Sequence, residues 1–260
     1  MVLIDAQRKS REAQKLAELI RSKHQRLTHI LITHGHTDHF TGIALLHSQF
    51  PQARIVVATE AIKRDIKEYA IYMDRGGATG AEPALEPALK PRSSENPEGF
   101  DYEGIIQVLG SDTLELDGGG LLELDSGHPP TEAMHMTTVY IRSLNALFLS
   151  DLGYNHVHLW LGDDIDTARM LAWKAELLRL KAVYAPQDPR IYPGHGDPTD
   201  ASVFDADVRY LDDFMRIAAG AHAAAELITE MRTLYPDYRE ADFFLKYSAE
   251  AQVRPGDSRT

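Results

Sequence analysis

Apolar and polar positions follow two rhythms along this chain. A short apolar run ending in a carboxylate, Val2-Leu3-Ile4-Asp5, gives way to Ala13, Leu16, Ala17 and Ile20 at helical spacing. Ser10 is the expected cap of that helix, with Glu12 in its first turn, where a carboxylate complements the orphan amides. A second apolar run from Leu27 to Ile32 then stops at a polar cluster. Strand, helix, strand is an α/β beginning, and a short helix over 41–48, a strand over 54–58 and a helix over 60–73 continue it. From Gln107 onward the rhythm shortens. Runs at 107–109, 113–116, 121–124, 136–141 and 146–149 are separated by turn residues such as Gly118-Gly119-Gly120 and Leu144-Asn145, the mark of short neighbouring strands. A helix starting near Asp163 or Asp164 is expected to bury Ile165, Ala168, Leu171, Ala175 and Leu178. Val203, Val208, Leu211, Phe214, Ala218, Ala221, Ala225 and Ile228 give helical spacing to a carboxy-terminal stretch over about 201–248.

Between the two rhythms, residues 76–99 are rich in Gly, Pro, Ala and Glu, and Pro83, Pro87, Pro91 and Pro97 prevent regular helix. A loop that long is either a lid over a cleft or a solvent-exposed linker. With 260 residues the chain suffices for one sizeable core, so a single domain over 1–260 is the expectation.

The polar cluster after Ile32 is His34-Gly35-His36-Thr37-Asp38-His39. Side chains alternate faces in an extended segment, so His34 and His36 reach one point, while Asp38 and His39, after a turn at Thr37, reach a second nearby. Two adjacent metal ions are the natural occupants. Imidazole with carboxylate suits zinc, with manganese, cobalt or iron as substitutes, and the chain has no cysteine to attract a softer metal. Three more polar stops follow apolar runs: Asp125-Ser126-Gly127-His128-Pro129, Ser150-Asp151-Leu152-Gly153-Tyr154 and Pro193-Gly194-His195-Gly196-Asp197.

These four motifs, in this order, resemble the metallo-β-lactamase superfamily from Val2 to about Pro198. The resemblance implies an α/β fold of the αββα sandwich type, two sheets with helices outside and the ligand loops along one edge. It implies that His34, His36 and His128 hold one metal, that Asp38, His39 and His195 hold the other, and that Asp151 bridges two zinc ions about 3.5–4 Å apart. In such relatives a strand ending like Leu3-Ile4-Asp5 follows at least one earlier strand of its sheet. Here the amino-terminal edge strand is expected to be missing: either the start lies further upstream, or the exposed edge pairs with a partner chain such as a second copy, an uncovered edge being a template for association. Asp5 either matches the superfamily's carboxylate behind the metals or ends its strand in a turn. β-Lactamase subclasses with a Cys ligand or without the bridging Asp are set aside by the motif, as are flavodiiron proteins, which carry Glu where this chain has His36. The superfamily's name is therefore not read as the activity.

Tyr154, three residues after Asp151, is similar in placement to a tyrosine of N-acyl homoserine lactonases that contacts the substrate; the alternative is a packing ring. His156 and His158 share a face if 155–160 is extended and would then line the pocket with Trp160, or they cap the next helix. The expected activity is hydrolysis of a carboxylic ester, above all a lactone, by a hydroxide bridging the metals. Asp38 would orient the nucleophile or relay its proton, and Tyr154 would donate to the oxyanion or the leaving oxygen. Thiolester and β-lactam hydrolysis share that attack. A mononuclear iron dioxygenase of the persulfide-oxidising type shares part of the motif, and a truncated metal-binding chain without catalysis is the non-enzymatic alternative.

A formal net charge of −12 provides no basic track for nucleic acid, which points to a small-molecule substrate. No apolar run approaches the roughly 20 residues of a membrane span. The start is unlike a secretory signal, so the cytoplasm is the default location, although a segment further upstream would be free to carry a signal. His24, His29, His47, His135 and His222 are read as structural, His135 being the candidate exception because it follows His128 in one loop.

Overall fold

A computed structural model of the chain describes residues 1–77, 85, 89–162 and 164–253. Of the expected loop over 76–99, residues 78–84 and 86–88 lie outside the described residues, as does Asp163 at the expected helix start. The chain forms two compact units, Met1–Ser126 with His135–Thr138, and Gly127–Met134 with Val139 onward.

The first unit contains a parallel sheet of β1 (Val2–Ile4), β2 (His29–Leu31), β3 (Arg54–Val57) and β4 (Ile106–Val108), in that spatial order. Parallel neighbours need crossover connections. These are α1 (Ser10–Ser22) before β2, α2 (Thr37–Phe40) and α3 (Ile43–Gln49) before β3, and α4 (Glu60–Asp74) with α5 (Tyr102–Ile105) before β4. Strands covered on both faces read as unbroken apolar runs, and Ile30, Leu31, Val56 and Val57 are fully buried accordingly. α1 buries Ala13, Ala17 and Ile20 as its spacing predicts, but Lys9 rather than Ser10 occupies the capping position. The helix expected over 41–48 forms as α3 and begins just after Gly42, where an added Cβ would lie 1.9 Å from the Ala6 carbonyl oxygen. β4 is a correction: its rhythm groups it with the short strands downstream, yet it pairs with β3. A strand of this length says nothing in sequence about its partner. β1 forms one edge of this sheet. β5 (Thr113–Glu115) and β6 (Leu121–Asp125) make an antiparallel hairpin whose turn uses Gly119 at φ +79.

In the second unit β7 (Thr138–Ile141) runs antiparallel to β8 (Ala146–Asn155), and β8 is parallel to β9 (Arg190–Gly196). The crossover is α6 (Thr167–Tyr184), capped by the Asp166 side chain, which accepts from the Arg169 amide. Its buried face is Met170, Trp173, Glu176, Leu177 and Leu180, whereas Leu171 and Leu178 are 53% and 46% exposed. That overturns the expected face. Leucine and alanine surround this helix, so several stripes look apolar, and the bulk of Trp173 decides which one enters the core. Its indole N–H donates to the Leu152 carbonyl at 2.9 Å. The carboxy-terminal helical stretch resolves into α7 (Ser202–Gly220), α8 (Ala224–Leu234), a single π-helical turn over Ala241–Leu245 and α9 (Lys246–Gln252). Among the described residues no helix is long and apolar enough to cross a membrane.

Candidate metal centre

In the first unit, β2 delivers the chain into His34, and α2 begins at Thr37. Between them Gly35 lies so close to α4 that a Cβ would meet the Asp65 main chain at 2.9 Å. The His34 ring stands 4.8 Å from that of His36 and 4.2 Å from that of His39. Ligand atoms of His34 and His36 lie within 4.8 Å of one another, as do those of Asp38 and His39.

Asp5 organises this group from behind. One carboxylate oxygen accepts from the Thr33 amide at 2.8 Å, and the other accepts from His39 Nδ1 at 2.8 Å and the Thr33 hydroxyl at 2.9 Å. Because that hydroxyl proton is committed to Asp5, the Thr33 oxygen, 3.1 Å from His34 Nδ1, accepts from it. Both imidazoles thus carry their proton on Nδ1 and present Nε2 as a lone-pair donor, the arrangement that orients metal-binding histidines. Asp5 itself sits at φ +60, a conformation costly for a residue with a Cβ and found where function over-determines the backbone. The reading of Asp5 as a carboxylate behind the ligands is the one this geometry gives.

In the second unit the ligand candidates come from separate elements. Asp151 lies in β8 beside two register shifts, next to Ser150 at φ +51, and such irregularities re-aim a side chain out of the ladder. His195 Nε2 from β9 stands 3.3 Å from Asp151 Oδ2. Gly194 is required there, since a Cβ would fall 1.9 Å from Asp151 Oδ1; this is why glycine precedes that histidine. His128 Nδ1 hydrogen-bonds Glu176 of α6 at 2.6 Å, and Arg179 holds the same carboxylate. Burial pushes the Glu176 carboxyl up, but the hydrogen bonds and charges of Arg179 and His128 together bring it below the usual range.

Tyr154 is fully buried, its ring stacked on His195 at 4.9 Å and its hydroxyl 3.4 Å from Asp151 Oδ2. Its amide donates to Asp207 of α7 at 2.9 Å, a carboxyl that burial drives well above its ordinary value. Glu132, which the sequence reading passed over, places a carboxylate oxygen within 4.8 Å of one of Asp151, and both residues are only 2% exposed. Two buried carboxylates this close repel unless a cation or a proton lies between them. The loop carrying Glu132 is tied down by Arg169, which donates to the Thr131 and Glu132 carbonyls.

The extended segment expected to carry His156 and His158 is interrupted, although both rings lie against Tyr238, at 5.4 and 5.7 Å. His156 turns at φ +52 and is exposed, which breaks the extended alternation. His158 is fully buried with Nδ1 2.9 Å from the Tyr210 hydroxyl, and burial, followed by the charge of Arg232, lowers its pKa to about 4. Trp160 is half-buried against Phe243 and Phe244. His135 is tied to Asp65 at 2.7 Å. Glu176, Asp207, Glu132 and Phe244, whose ring stands 5.0 Å from His195, were not singled out from the sequence. Only Glu176 carried a signal, a lone carboxylate at the spacing of Trp173, Leu177 and Leu180.

The sequence profile of the Metallo-beta-lactamase superfamily matches residues 2–195. The chain belongs to that superfamily. Its members are mostly metal-dependent hydrolases, and the donor set here, imidazoles backed at Nδ1 together with buried carboxylates, fits a divalent transition metal. No curated protein is similar enough in sequence to match. Among solved structures, a metallo-beta-lactamase from Pontibacter korlensis is similar with a TM-score of 0.55 at 19% identity, covering 81% of each chain. FIM-1 from Pseudomonas aeruginosa, described in a mono-zinc form, is similar at 0.54 and 16% identity, covering 81% of this chain and 78% of its own. The DIM-1 metallo-beta-lactamase is similar at 0.55 and 14% identity, covering 81% of each. At these identities the likeness shows the metallo-β-lactamase fold.

Proposed function

We propose that the protein holds two divalent metal ions, zinc in the first place, and that it hydrolyses a small carboxylic ester, above all a lactone. The observation that carries this reading is the Nδ1 support given to His34, His39 and His128 by Thr33, Asp5 and Glu176, which a merely structural histidine cluster does not require. His34, His36 and His128 would hold one ion and Asp38, His39 and His195 the other, with Asp151 between them and Glu132 beside Asp151. Bound metal of this kind supplies a water that ionises near neutral pH and a Lewis acid for the carbonyl oxygen.

The chain's own groups do the rest. Asp38, about a third exposed at its side chain, takes the proton of the attacking water or orients it. Tyr154 steadies Asp151 through its hydroxyl, and the acidic surface disfavours polyanionic substrates.

A screen of the metal-loaded protein against lactones, thiolesters, β-lactams and phosphodiesters tests the proposal. Lactones or simple esters are expected to exceed the other classes in kcat/KM by at least tenfold. Preference for a β-lactam would replace the substrate assignment, and an iron-loaded protein that consumes oxygen without hydrolysing any of them would overturn the reaction class.

A further inference from the structure

Beyond the residues matched by the superfamily profile, the carboxy-terminal segment builds a run of aromatic rings against His195. We infer that Trp160, Phe243, Phe244 and Tyr247 form the binding wall for an apolar acyl chain on the substrate, an inference that rests on the ester or lactone reading above.

The wall starts at the candidate centre. Phe244 meets the His195 imidazole edge-on, with centroids 5.0 Å apart and planes at 89°. From there it continues to Trp160 at 5.7 Å and Phe243 at 5.6 Å. Trp160 and Phe243 lie within 28° of parallel, and Tyr247 closes the group 5.2 Å from Phe243. Phe243 and Tyr247 are 39% and 42% exposed. Single exposed apolar residues are ordinary, whereas a contiguous patch of large rings marks a binding surface. A carbonyl bound beside His195 has its chain flanked by Phe244 and then by the exposed rings. Among the described residues the only cation over this wall is Lys246, 5.9 Å from the Tyr247 ring, so the surface suits hydrocarbon better than an anion.

The segment is held in place for this purpose. Glu240 enters the π-helical turn at φ +62, and such turns are frequent at functional sites despite their poorer hydrogen-bond geometry. Arg239 exchanges main-chain hydrogen bonds with His156 and His158. The buried Ser248 hydroxyl accepts from the Leu161 amide at 2.8 Å, and the Gln252 amide donates to the carbonyls of Leu161, Gly162 and Ile165. Gly162 is needed because a Cβ would press on the Trp160 indole at 3.0 Å. Rings fixed in advance lose little freedom when a chain settles on them, which favours affinity.

The test uses the whole metal-loaded protein with octanoate and acetate as probes. Trp160 and Trp173 are the two tryptophans, and Trp173 is fully buried, so a ligand-dependent emission change reports Trp160 and is lost in Trp160→Phe. Octanoate is expected to give a saturable change that acetate does not, and Phe243→Ser should raise its apparent Kd at least tenfold with metal content unchanged. In a series of straight-chain lactones, KM should fall about fourfold per added methylene, the effect of burying one such group, and Phe243→Ser should flatten the series. Equal responses to octanoate and acetate, or no effect of Phe243→Ser, overturn the wall. So does a dimer in sedimentation that Phe243→Ser dissociates, since the rings would then be covered by a second copy. Lactone turnover indifferent to chain length sinks the wall and leaves the hydrolase reading intact. Selective octanoate binding without turnover of any ester does the reverse.

Discussion

The two units supply their candidate ligands in opposite ways. In the first, His34, His36, Asp38 and His39 fall within one short stretch, shaped by a strand end, a glycine and a helix start, and Asp5 supports it from the neighbouring strand end. In the second, His128, Asp151 and His195 come from a loop and two strands. Support comes from distant partners: Glu176 on α6 for His128, Gly194 for Asp151, and Asp207 on α7 for the main chain at Tyr154. A contiguous motif carries its own geometry, whereas a dispersed one depends on packing far away in sequence. The second group is therefore the more easily broken.

The largest effect is expected at the glycines. Gly194→Ala would place a carbon 1.9 Å from Asp151 Oδ1, while Gly35→Ala would meet the Asp65 main chain at 2.9 Å. The first should abolish binding of at least one metal and cut turnover by more than about 10²-fold, and the second should cost roughly 1–3 kcal/mol of stability with partial metal retention. Elemental analysis and thermal melts of both variants decide it, and equal behaviour would erase the contrast between the two groups.

Next come the carboxylates behind the histidines. Asp5→Asn and Glu176→Gln should each weaken metal affinity by about 10–100-fold, the usual cost of losing a partner behind a ligand. Chelator competition measures both. A change below about threefold for Glu176→Gln would mean that His128 is held by packing alone.

The same contrast governs what could be read from sequence. The cluster from His34 to His39 was legible because its members adjoin one another and end an apolar run. The remaining ligand positions were legible only through the order of the motifs. Their supports were not: Glu176 sits on a helix whose leucines suggested another buried face, and Asp207 does its work on an amide 53 residues away. Most elements were recovered from rhythm, but β4 was grouped with the wrong strands because a three-residue strand does not name its neighbour. The extended run expected through His156 and His158 is broken at a single left-handed residue, which periodicity does not reveal.

Tyr154→Phe sharpens the second group further. A donor to the reacting oxygen would cost about 10²–10³ in turnover when removed. A hydroxyl that steadies Asp151 from 3.4 Å should cost about tenfold, with metal affinity slipping alongside. A loss of 10³ with metal binding unchanged would return Tyr154 to the substrate.

The smallest effect concerns stability in acid. His158 has an ordinary value of 6.5 when unfolded and about 4 when folded, lowered first by burial and then by Arg232. The unfolded chain therefore binds more protons between those values, so this contribution is complete above pH 6.5 and is lost as pH falls toward 4. His158→Gln should show a shallower decline in Tm between pH 6.5 and 4.5 than the parent. Parallel declines would show that other groups set acid stability.

The central claim, that the protein holds two metal ions, is tested most directly by titrating metal-free protein with zinc while monitoring bound metal. The account predicts two equivalents per chain, with His34→Ala and His195→Ala each removing one and leaving the other measurable. Saturation at a single equivalent that only one of these substitutions affects would contradict it.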